Sequence, residues 1–385
     1  MPEVRRLAIL TTGRQDYGIL RSTIMLLRDT PDLDPLIWAG GMHLQPRFGP
    51  PLELLHQEGV VPARTLEFLA EPPDPAGDAG RAVAIVGQAL VADRPDALLL
   101  VGDRSESLAA GLAATIAGVP IVHLHGGEET EGAIDNAFRH ALTKLSHLHL
   151  VSHPTHAELV IQMGEDPDAV IVVGAPGLDN RYRGDLPSRD ALEASLGIAL
   201  EPPLVLVTMH PTTLGDLPDA EVTALTDALD QITATYVVTA PNADAGGTAI
   251  REHWRRWAAG RRRVALVDTL GERRYWALLR EAAAVVGNSS SGIIEAPAAG
   301  LPAVNVGDRQ KGRLRTGGVM DVPAQAEAVA AAMRQALATG RSASATSGHG
   351  YPAGPAGPRI VEALRHWSPR RPPRKTFHRV PCRSD

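Results

Sequence analysis

The chain has 385 residues, which exceeds one average domain and favours two. Its net charge of −6 gives no general attraction to nucleic acid or anionic membranes, and its aromatic content of 4% argues against base-stacking surfaces. The single cysteine, Cys382, excludes an internal disulfide and a cysteine-based zinc site.

Targeting signals are not evident in the sequence. The first apolar run, Leu7–Leu10, is too short for a secretory leader, and no stretch approaches the length of a membrane span. We therefore expect a cytoplasmic enzyme.

Short apolar runs alternate with longer amphipathic stretches along most of the chain. The runs typical of buried parallel strands are Leu7–Leu10, Ala97–Val101, Ile121–Leu124, Leu148–Val151, Val170–Val173, Leu204–Thr208, Tyr236–Thr239, Val264–Val267, Val285–Gly287 and Ala303–Val306. The helical candidates are Gly18–Arg28, Ser105–Ala117, Ala133–Leu145, Asp219–Thr233, Arg274–Glu281, Ala324–Leu337 and Pro358–Trp367. This alternation predicts an α/β fold with parallel sheets covered by helices on both faces.

The alternation pauses between about Gly177 and Pro203, in a polar, turn-rich segment. We place a linker there and expect two Rossmann-like, doubly wound domains at residues 1–180 and 181–350. Two such halves would face a cleft with their strand ends, which is the usual position of a ligand. We expect a helix at about residues 358–367 to pack back on the first domain, and the Arg/Pro-rich tail, 368–385, to be disordered.

Two loops between a strand and a helix are candidates for binding phosphate. The first, TTGRQDYG, follows the first strand, and its Arg14 could pair with a diphosphate, although a plain turn with Asp16 as a helix cap explains it equally well. The second, Gly287–Gly292, offers three hydroxyl groups and is more specific. Neither loop is a dinucleotide or Walker motif.

Further polar residues follow strands in the second half. His210 ends the strand LVLVTMH, and Asn242 holds a similar position after YVVTAP. The loop GDRQKGRLR adds Arg309, Lys311, Arg313 and Arg315. A lone histidine or a basic loop is usually structural, but here both accompany a predicted anion site.

Three carboxylates lie at or beyond strand ends in the first half: Asp103, Glu128 and Asp135. Asp103 also has the spacing of a helix cap with Glu106, and Asp135 suits an early helical position. If they converge, they would raise one another's pKa values, which suits general acid–base catalysis. His123, His125 and Glu128 are metal-ligating types, but their spacing is a weak metal signal and we expect no metal.

These stretches closely resemble the UDP-N-acetylglucosamine 2-epimerases, in particular their hydrolysing branch, which serves sialic-acid-type sugar synthesis. The resemblance rests on TGRQDYG, GMHLQPRFG, VGDRSE, PIVHLHGGEETEGAIDNAFRHALTKLSHLHLV, VVGAPGLDN, VTMHPTT and VVGNSSSGIIEAPAAGLPAVNVGDRQKGRLR. It implies the two-domain GT-B fold, with UDP held mostly on the second domain. It also implies a homodimer or homotetramer and no cofactor.

The resemblance assigns roles to matching positions. The residues that would hold UDP are Arg14, His210, Asn242, Ser289, Ser290, Glu295 and Arg309. Asp103, Glu128 and Asp135 match the carboxylates implicated in catalysis, with Arg104 beside them, and His43 matches a histidine typical of the hydrolysing branch.

The implied reaction converts UDP-GlcNAc and water to N-acetylmannosamine and UDP. A carboxylate removes the C2 proton, UDP leaves from C1 by anti elimination, and water adds to the resulting 2-acetamidoglucal. Asp103 or Asp135 would be the base and Glu128 the partner acid; the sequence does not fix the order.

Four alternatives stay open. The enzyme could be a non-hydrolysing epimerase that returns UDP to the glucal, or it could use another amino sugar, such as UDP-diacetylbacillosamine or a related UDP-2,4-diacetamido-trideoxyhexose. A GT-B glycosyltransferase would share the UDP site but need an acceptor groove. A nucleotide-sugar sensor would bind without turnover.

Overall fold

The apolar runs become the strands of two parallel sheets in a computed structural model of the chain. The structure describes residues 4–50, 52–131, 133–211, 218–241, 246–315, 317–342, 351–369 and 373–380. It divides into two units: unit 1 comprises Met1–Glu128, Asp135–Asp179 and Tyr351–Asp385, and unit 2 comprises Glu129–Ile134 and Asn180–Gly350.

Unit 1 contains a seven-stranded sheet. Its strands are β1 (Arg5–Thr11), β2 (Leu33–Gly40), β3 (Arg64–Leu66), β4 (Ala97–Val101), β5 (Ile121–Leu124), β6 (Leu148–Val151) and β7 (Val170–Val172). Its helices are α1 (Arg14–Arg28), α2 (Glu53–Gln57), α3 (Pro75–Asp93), α4 (Ser105–Ile116), α5 (Asp135–Leu145), α6 (Pro154–Gln162) and, late in the chain, α13 (Ala356–His366). The strand order is β3-β2-β1-β4-β5-β6-β7, and all described pairings are parallel.

Unit 2 contains a six-stranded sheet. Its strands are β8 (Leu204–Thr208), β9 (Thr235–Thr239), β10 (Val264–Val267), β11 (Ala284–Gly287), β12 (Ala303–Val306) and β13 (Val319–Val322). Its helices are α7 (Arg189–Leu196), α8 (Pro218–Leu229), α9 (Gly247–Ala258), α10 (Gly271–Glu281), α11 (Glu295–Ala298) and α12 (Ala326–Thr339). The order β10-β9-β8-β11-β12-β13 repeats the winding of unit 1, again with parallel pairings.

Both units therefore have the doubly wound, Rossmann-like topology that the alternation of runs predicts, and this fold prediction is confirmed. The order reverses between β1 and β4 in unit 1 and between β8 and β11 in unit 2. Ligands of such folds bind at the carboxyl ends of the strands beside this reversal.

The sheet of unit 1 separates two apolar cores because successive strand side chains point to opposite faces. Leu7 and Ile9 of β1 belong to the core that includes α1 and α13, whereas Ala8 and Leu10 belong to the core that includes α3 and α4. Each fully buried large aliphatic side chain contributes about 1.5 to 3 kcal/mol to stability.

Some strands were not expected from the sequence. β2 contains Asp34 and Pro35, which interrupt its apolar pattern. β3 has only three residues, and β13 contains Asp321 and has no fully buried residue. Among the described residues, no helix is both long enough and apolar enough to cross a membrane.

The late helix α13 packs against α1 within unit 1. Asp179 fixes its first turn: the carboxylate accepts the backbone N–H groups of Ala356 (2.7 Å) and Gly357 (2.7 Å) and the hydroxyl of Ser22 (2.8 Å). A carboxylate at a helix N-terminus satisfies donors that have no partner within the helix.

Residues 373–380 of the Arg/Pro-rich tail contact the rest of unit 1. Lys375 hydrogen-bonds to α5, and the backbone N–H of His378 donates to Gly164.

We predict that Asp179→Ala weakens the docking of α13 by about 2 to 3 kcal/mol, because three hydrogen bonds to one charged acceptor are lost. The measurement is hydrogen exchange of the α13 amides, which should become faster. Asp29→Ala, at an exposed carboxylate just beyond α1, is the matched control and should leave α13 unchanged. Unchanged α13 exchange in Asp179→Ala would contradict this account of the contact.

Candidate active site

The predicted residues of unit 1 gather at the carboxyl edge of its sheet. Arg14 follows β1, His43 follows β2, Asp103 and Arg104 follow β4, and Glu128 follows β5. Asp135 is the first residue of α5. Since β1 and β4 are the neighbours at which the strand order reverses, these side chains lie where a ligand is expected.

The loop after β1 has a different cap from the one the sequence suggests. α1 begins at Arg14, and Gly13 is its N-cap without a side-chain bond. Asp16 instead reaches back to the N–H (3.0 Å) and the hydroxyl of Thr12. Burial raises the pKa of Asp16, although Arg104 and Thr12 oppose that effect. The interpretation of Asp16 as a helix cap is therefore wrong, and its role is to fold the loop.

His43 belongs to the same edge. Its Nε2 lies 2.9 Å from the hydroxyl of Thr11, and the side chain is buried. Burial, followed by the nearby Arg14 guanidinium, lowers the pKa of His43 to about 4. His43 is therefore a neutral ring beside a cation at neutral pH.

Asp103 is bound to Arg139. The N-cap of α4 is Arg104 and makes no side-chain cap, so the capping interpretation of Asp103 is wrong. The Asp103 carboxylate accepts a hydrogen bond from Arg139 of α5, whose side chain is only 1% exposed. Arg139 also donates to the carbonyl oxygen of Glu128 (2.7 Å). One guanidinium thus joins the two predicted catalytic segments.

Arg104 lies among carboxylates. It donates to Glu106 (2.7 Å). Burial disfavours its charge, but Glu106, Asp16 and Asp135 outweigh that effect and raise the pKa of Arg104. This electrostatic coupling places Asp135 in the same cluster as the loop after β4.

Glu128 has a fixed orientation. Its Oε1 accepts from His125 Nδ1 (2.7 Å) and from the hydroxyl of Ser152 (3.1 Å), and the Ser152 oxygen lies 2.9 Å from Nδ1 of His156. His125 itself adopts φ +65°, an uncommon conformation for a residue with a side chain. At Gly127, φ is +77° and a Cβ would collide with the carbonyl of His156. The Gly-Gly pair thus permits the tight turn that presents Glu128.

Metal-ligating geometry is absent from the described part of the chain, where no group of three or more His, Cys, Asp or Glu side chains could hold an ion. His123 is used structurally: its Nε2 lies 2.8 Å from the carbonyl oxygen of Gly102, and burial lowers its pKa to about 3.

In unit 2 the candidate residues His210 and Arg309 are both hydrogen-bonded to Asn288, a residue to which the sequence alone assigned no role. His210 follows β8 and Asn288 follows β11, on the two sides of the strand-order reversal. The backbone N–H of His210 donates to the side-chain oxygen of Asn288 (2.7 Å). The side-chain NH₂ of Asn288 donates back to the backbone carbonyl oxygen of His210 (2.8 Å). Arg309 donates to the carbonyl of Asn288 (3.3 Å). Burial and then Arg309 lower the pKa of His210 to about 3.

The loop Gly287–Gly292, which contains three serines, includes Asn288. Gly287 adopts φ +132°, and a Cβ there would collide with the carbonyl of Thr208. Ser289 accepts the N–H of Ser291 (3.3 Å), and Ser290 begins a short 3₁₀ turn. Ser289 and Ser290 are partly exposed, and Glu295 begins α11. Asn242, the remaining predicted residue, lies outside the described residues.

Two basic side chains of the loop GDRQKGRLR have carboxylate partners. Lys311 forms an ion pair with Glu131 (3.3 Å), and Arg315 is paired with Asp321 (2.8 Å). Arg309 is the basic residue that reaches Asn288 and the carbonyl of Pro211. Arg309 therefore lies beside the strand-order reversal of unit 2, whereas Lys311 and Arg315 pair with carboxylates.

Comparison with known proteins identifies relatives along most of the chain. The model of the family described as UDP-N-acetylglucosamine 2-epimerase matches residues 26–365. A Campylobacter jejuni protein named GDP/UDP-N,N′-diacetylbacillosamine 2-epimerase (hydrolyzing) is 33% identical over 322 residues, covering 82% of this chain and 84% of that protein. A Legionella pneumophila protein named UDP-N,N′-diacetylbacillosamine 2-epimerase (hydrolyzing) is 32% identical over 340 residues, covering 87% and 89%.

The crystal structure of UDP-GlcNAc 2-epimerase from Neisseria meningitidis bound to UDP-GlcNAc is also similar. It has a TM-score of 0.80 and 16% identity, and the match covers 94% of this chain and 99% of that chain. This likeness shows the GT-B-like fold.

We predict that the stability of the protein falls as pH decreases from about 6.5 to 5. The pKa values of His43, His123 and His210 lie at about 4, 3 and 3 in the folded chain, below the ordinary 6.5, so the unfolded chain takes up protons first. Each ring would remove up to about 2 kcal/mol at pH 5. Urea midpoints at pH 7.5, 6 and 5 measure the effect, and His123→Asn should reduce it. Equal midpoints across this range would contradict the prediction.

Proposed function

The chain belongs to the hydrolysing branch of the UDP-N-acetylglucosamine 2-epimerase family, and from this premise we propose that it cleaves a UDP-2-acetamido sugar with inversion at C2. The products are the free 2-epimeric sugar and UDP. The link between Asp103 and the Glu128 loop through buried Arg139 is the observation that best supports this reaction.

The proposed reaction has two steps, an elimination of UDP and an addition of water. A carboxylate takes the proton on C2, the C–H electrons form a C1=C2 double bond, and UDP departs with the glycosidic oxygen in an anti elimination. Water then adds its hydroxyl to C1 of the glucal, and a proton returns to C2 on the opposite face. The first step is the difficult one, since C2 is a weak carbon acid and needs a well-placed base.

The environments of the two carboxylates suit different roles. Asp103 is 26% exposed and is held by the Arg139 guanidinium, which suits a base that must be both oriented and able to reach substrate. Glu128 is 7% exposed and is held by His125 and Ser152, which suits a group that delivers a proton from a fixed position. We therefore assign Asp103 as base and Glu128 as acid, with Asp135, Arg104 and His43 completing this side of the site.

The nucleotide is assigned to unit 2. In this proposal Arg309 and His210 contact the diphosphate, while Ser289 and Ser290 offer hydroxyl and N–H donors. Glu295 and Asn242 would hold the ribose and base. Support comes from the convergence of His210 and Arg309 on Asn288 beside the strand-order reversal.

The sugar we favour is N,N′-diacetylbacillosamine, because the two relatives at 32–33% identity carry that name. This choice replaces UDP-GlcNAc, and with it the sialic-acid-type product, as the first candidate. UDP-GlcNAc is kept as the second candidate because the description of the matching family names it. The Campylobacter name includes GDP as well as UDP, so the nucleotide also needs testing.

The deciding experiment incubates the purified protein separately with UDP-diacetylbacillosamine, GDP-diacetylbacillosamine and UDP-GlcNAc. Proton and phosphorus NMR then follow the sugar and the nucleotide. We expect free UDP and a free 2-epimeric sugar, formed fastest from UDP-diacetylbacillosamine. A product that retains UDP would indicate a non-hydrolysing epimerase, and tight binding without turnover would indicate a sensor.

We predict that Asp103→Asn and Glu128→Gln each reduce turnover at least about 100-fold, because each removes an acid–base group. Affinity for UDP should stay within about threefold of the parent protein, since the nucleotide is assigned to other residues. Steady-state kinetics and calorimetry measure the two quantities. Asp34→Asn, an exposed carboxylate early in β2, is the control and should behave as the parent. Loss of UDP binding in a folded Asp103 or Glu128 variant would contradict the assignment.

A further inference from the structure

We propose that residues 373–380, here called the arm, hold α5 in place, and that Lys375 is a positioning residue for the carboxylate site. The arm lies in a segment whose Pro/Arg-rich composition predicts disorder. Its described residues nevertheless make specific contacts with the rest of unit 1. The part of this inference that concerns turnover rests on the proposed function, whereas the part that concerns α5 does not.

Lys375 caps the end of α5. Its Nζ lies 2.8 Å from the carbonyl oxygen of Lys144 and 3.1 Å from that of Thr143, both in the last turn of the helix. The carbonyls of a last turn have no partner within the helix and carry the negative end of its dipole. A cation there stabilises the helix and fixes where it ends.

The third contact of Lys375 is a buried carboxylate. Its Nζ lies 2.5 Å from Oε2 of Glu165, whose side chain is only 2% exposed. An ammonium group has three donors, and these three acceptors occupy them.

Glu165 has three hydrogen-bond donors around it, and two of them, Lys144 and Lys375, are lysines. Burial alone would raise its pKa, but hydrogen bonds from His149 (2.9 Å), Lys144 (2.6 Å) and Lys375 outweigh burial and hold the pKa at about 2. Removing one of these partners leaves a buried carboxylate less compensated, which weakens the cluster. The arm therefore supplies part of the charge that this buried site needs.

The position of Lys375 along the arm is set by its neighbours. The His378 N–H donates to the carbonyl of Gly164 (2.9 Å), and the Phe377 ring lies 5.1 Å from Nζ of Lys144. Gly164 adopts φ +88°, and a Cβ there would collide with the Phe377 ring. These contacts keep the arm in one register beside Glu165.

Two paths connect this cluster to the carboxylate site. The first path is α5 itself. Arg139 lies five residues before Lys144, about 7.5 Å along the helix. The Arg139 guanidinium donates to the Asp103 carboxylate and to the carbonyl oxygen of Glu128. In the second, Glu165 binds His149, which pairs in register with His123 on the neighbouring strand. His123 contacts the carbonyl of Gly102, the residue before Asp103.

The arm thus anchors the far end of the helix whose middle holds the predicted base. A small shift of α5 would move Arg139 and, with it, the Asp103 carboxylate. Reactions that depend on near-attack geometry lose about 100-fold in rate for a displacement of about 1 Å, so a partial loosening is expected to lower kcat measurably.

The test compares Lys375→Met with Arg379→Met, which removes an exposed cation of the same arm. Hydrogen exchange of amides 141–146 measures how firmly α5 is held, and kinetics separate kcat from KM. In Lys375→Met we expect exchange about 10-fold faster, as for the loss of one charged hydrogen-bond partner. We also expect kcat about 10-fold lower with UDP affinity unchanged. Arg379→Met should match the parent, and Lys375→Arg should recover most of the loss.

Phe377→Ala is a milder second variant, since the Phe377 ring is 69% exposed and its loss should not prevent folding. It should show the same changes to a smaller degree. Parent-like exchange of residues 141–146 in both Lys375→Met and Phe377→Ala would overturn the proposal. Faster exchange with unchanged kcat would overturn the positioning role. If the parent protein turns over no nucleotide sugar, the proposed function fails, while the exchange data still decide whether the arm holds α5.

Discussion

A buried guanidinium needs partners for its donors, and the partners of Arg139 fix the carboxylate site. Because its side chain is 1% exposed, leaving it unpaired would cost several kcal/mol. Its partners are the Asp103 carboxylate, the Glu128 carbonyl and the Asn136 side chain. These contacts tie the end of β4, the loop after β5 and the helix α5 to one another. The placement of the candidate acid and base therefore follows from satisfying one buried charge.

In each unit, the side chains beside the strand-order reversal are held in place by contacts with one another. Parallel strands leave their carboxyl ends open, and side chains from neighbouring strands must be locked there before they can act on a ligand. Unit 1 uses ionic contacts through Arg139 and Arg104, which suit residues that exchange protons. Unit 2 uses the reciprocal hydrogen bonds between the backbone of His210 and the side-chain amide of Asn288, and the His210 imidazole, whose pKa is lowered, lies near Arg309. The division matches the proposed assignment of proton transfer to unit 1 and of the nucleotide to unit 2.

Local sequence patterns were sufficient to predict the fold, but not the hydrogen bonds and ion pairs that hold the site residues. β4, β5 and β6 have the predicted bounds because each is a short, mainly apolar run, whereas β2 was missed because Asp34 and Pro35 interrupt it. The candidate carboxylates could be found as polar residues after such runs. Arg139 and Asn288 could not, since their partners lie 36 and 78 residues away in sequence. The local capping rule gave the wrong partner for Asp103, because a buried cation from another element is a stronger partner than its own helix. Composition likewise gave no sign that Lys375 would meet a buried carboxylate.

In the proposed reaction these carboxylates move a proton at C2 of the sugar, and the nucleotide departs as a consequence. Transfer of the sugar to water without C2 chemistry would need a different set of groups. The most direct measurement is the reaction in deuterated water, with the released sugar analysed by NMR and mass spectrometry. We expect one deuterium at C2 of the inverted product, together with free nucleotide. Release of nucleotide with the original C2 proton retained would contradict it.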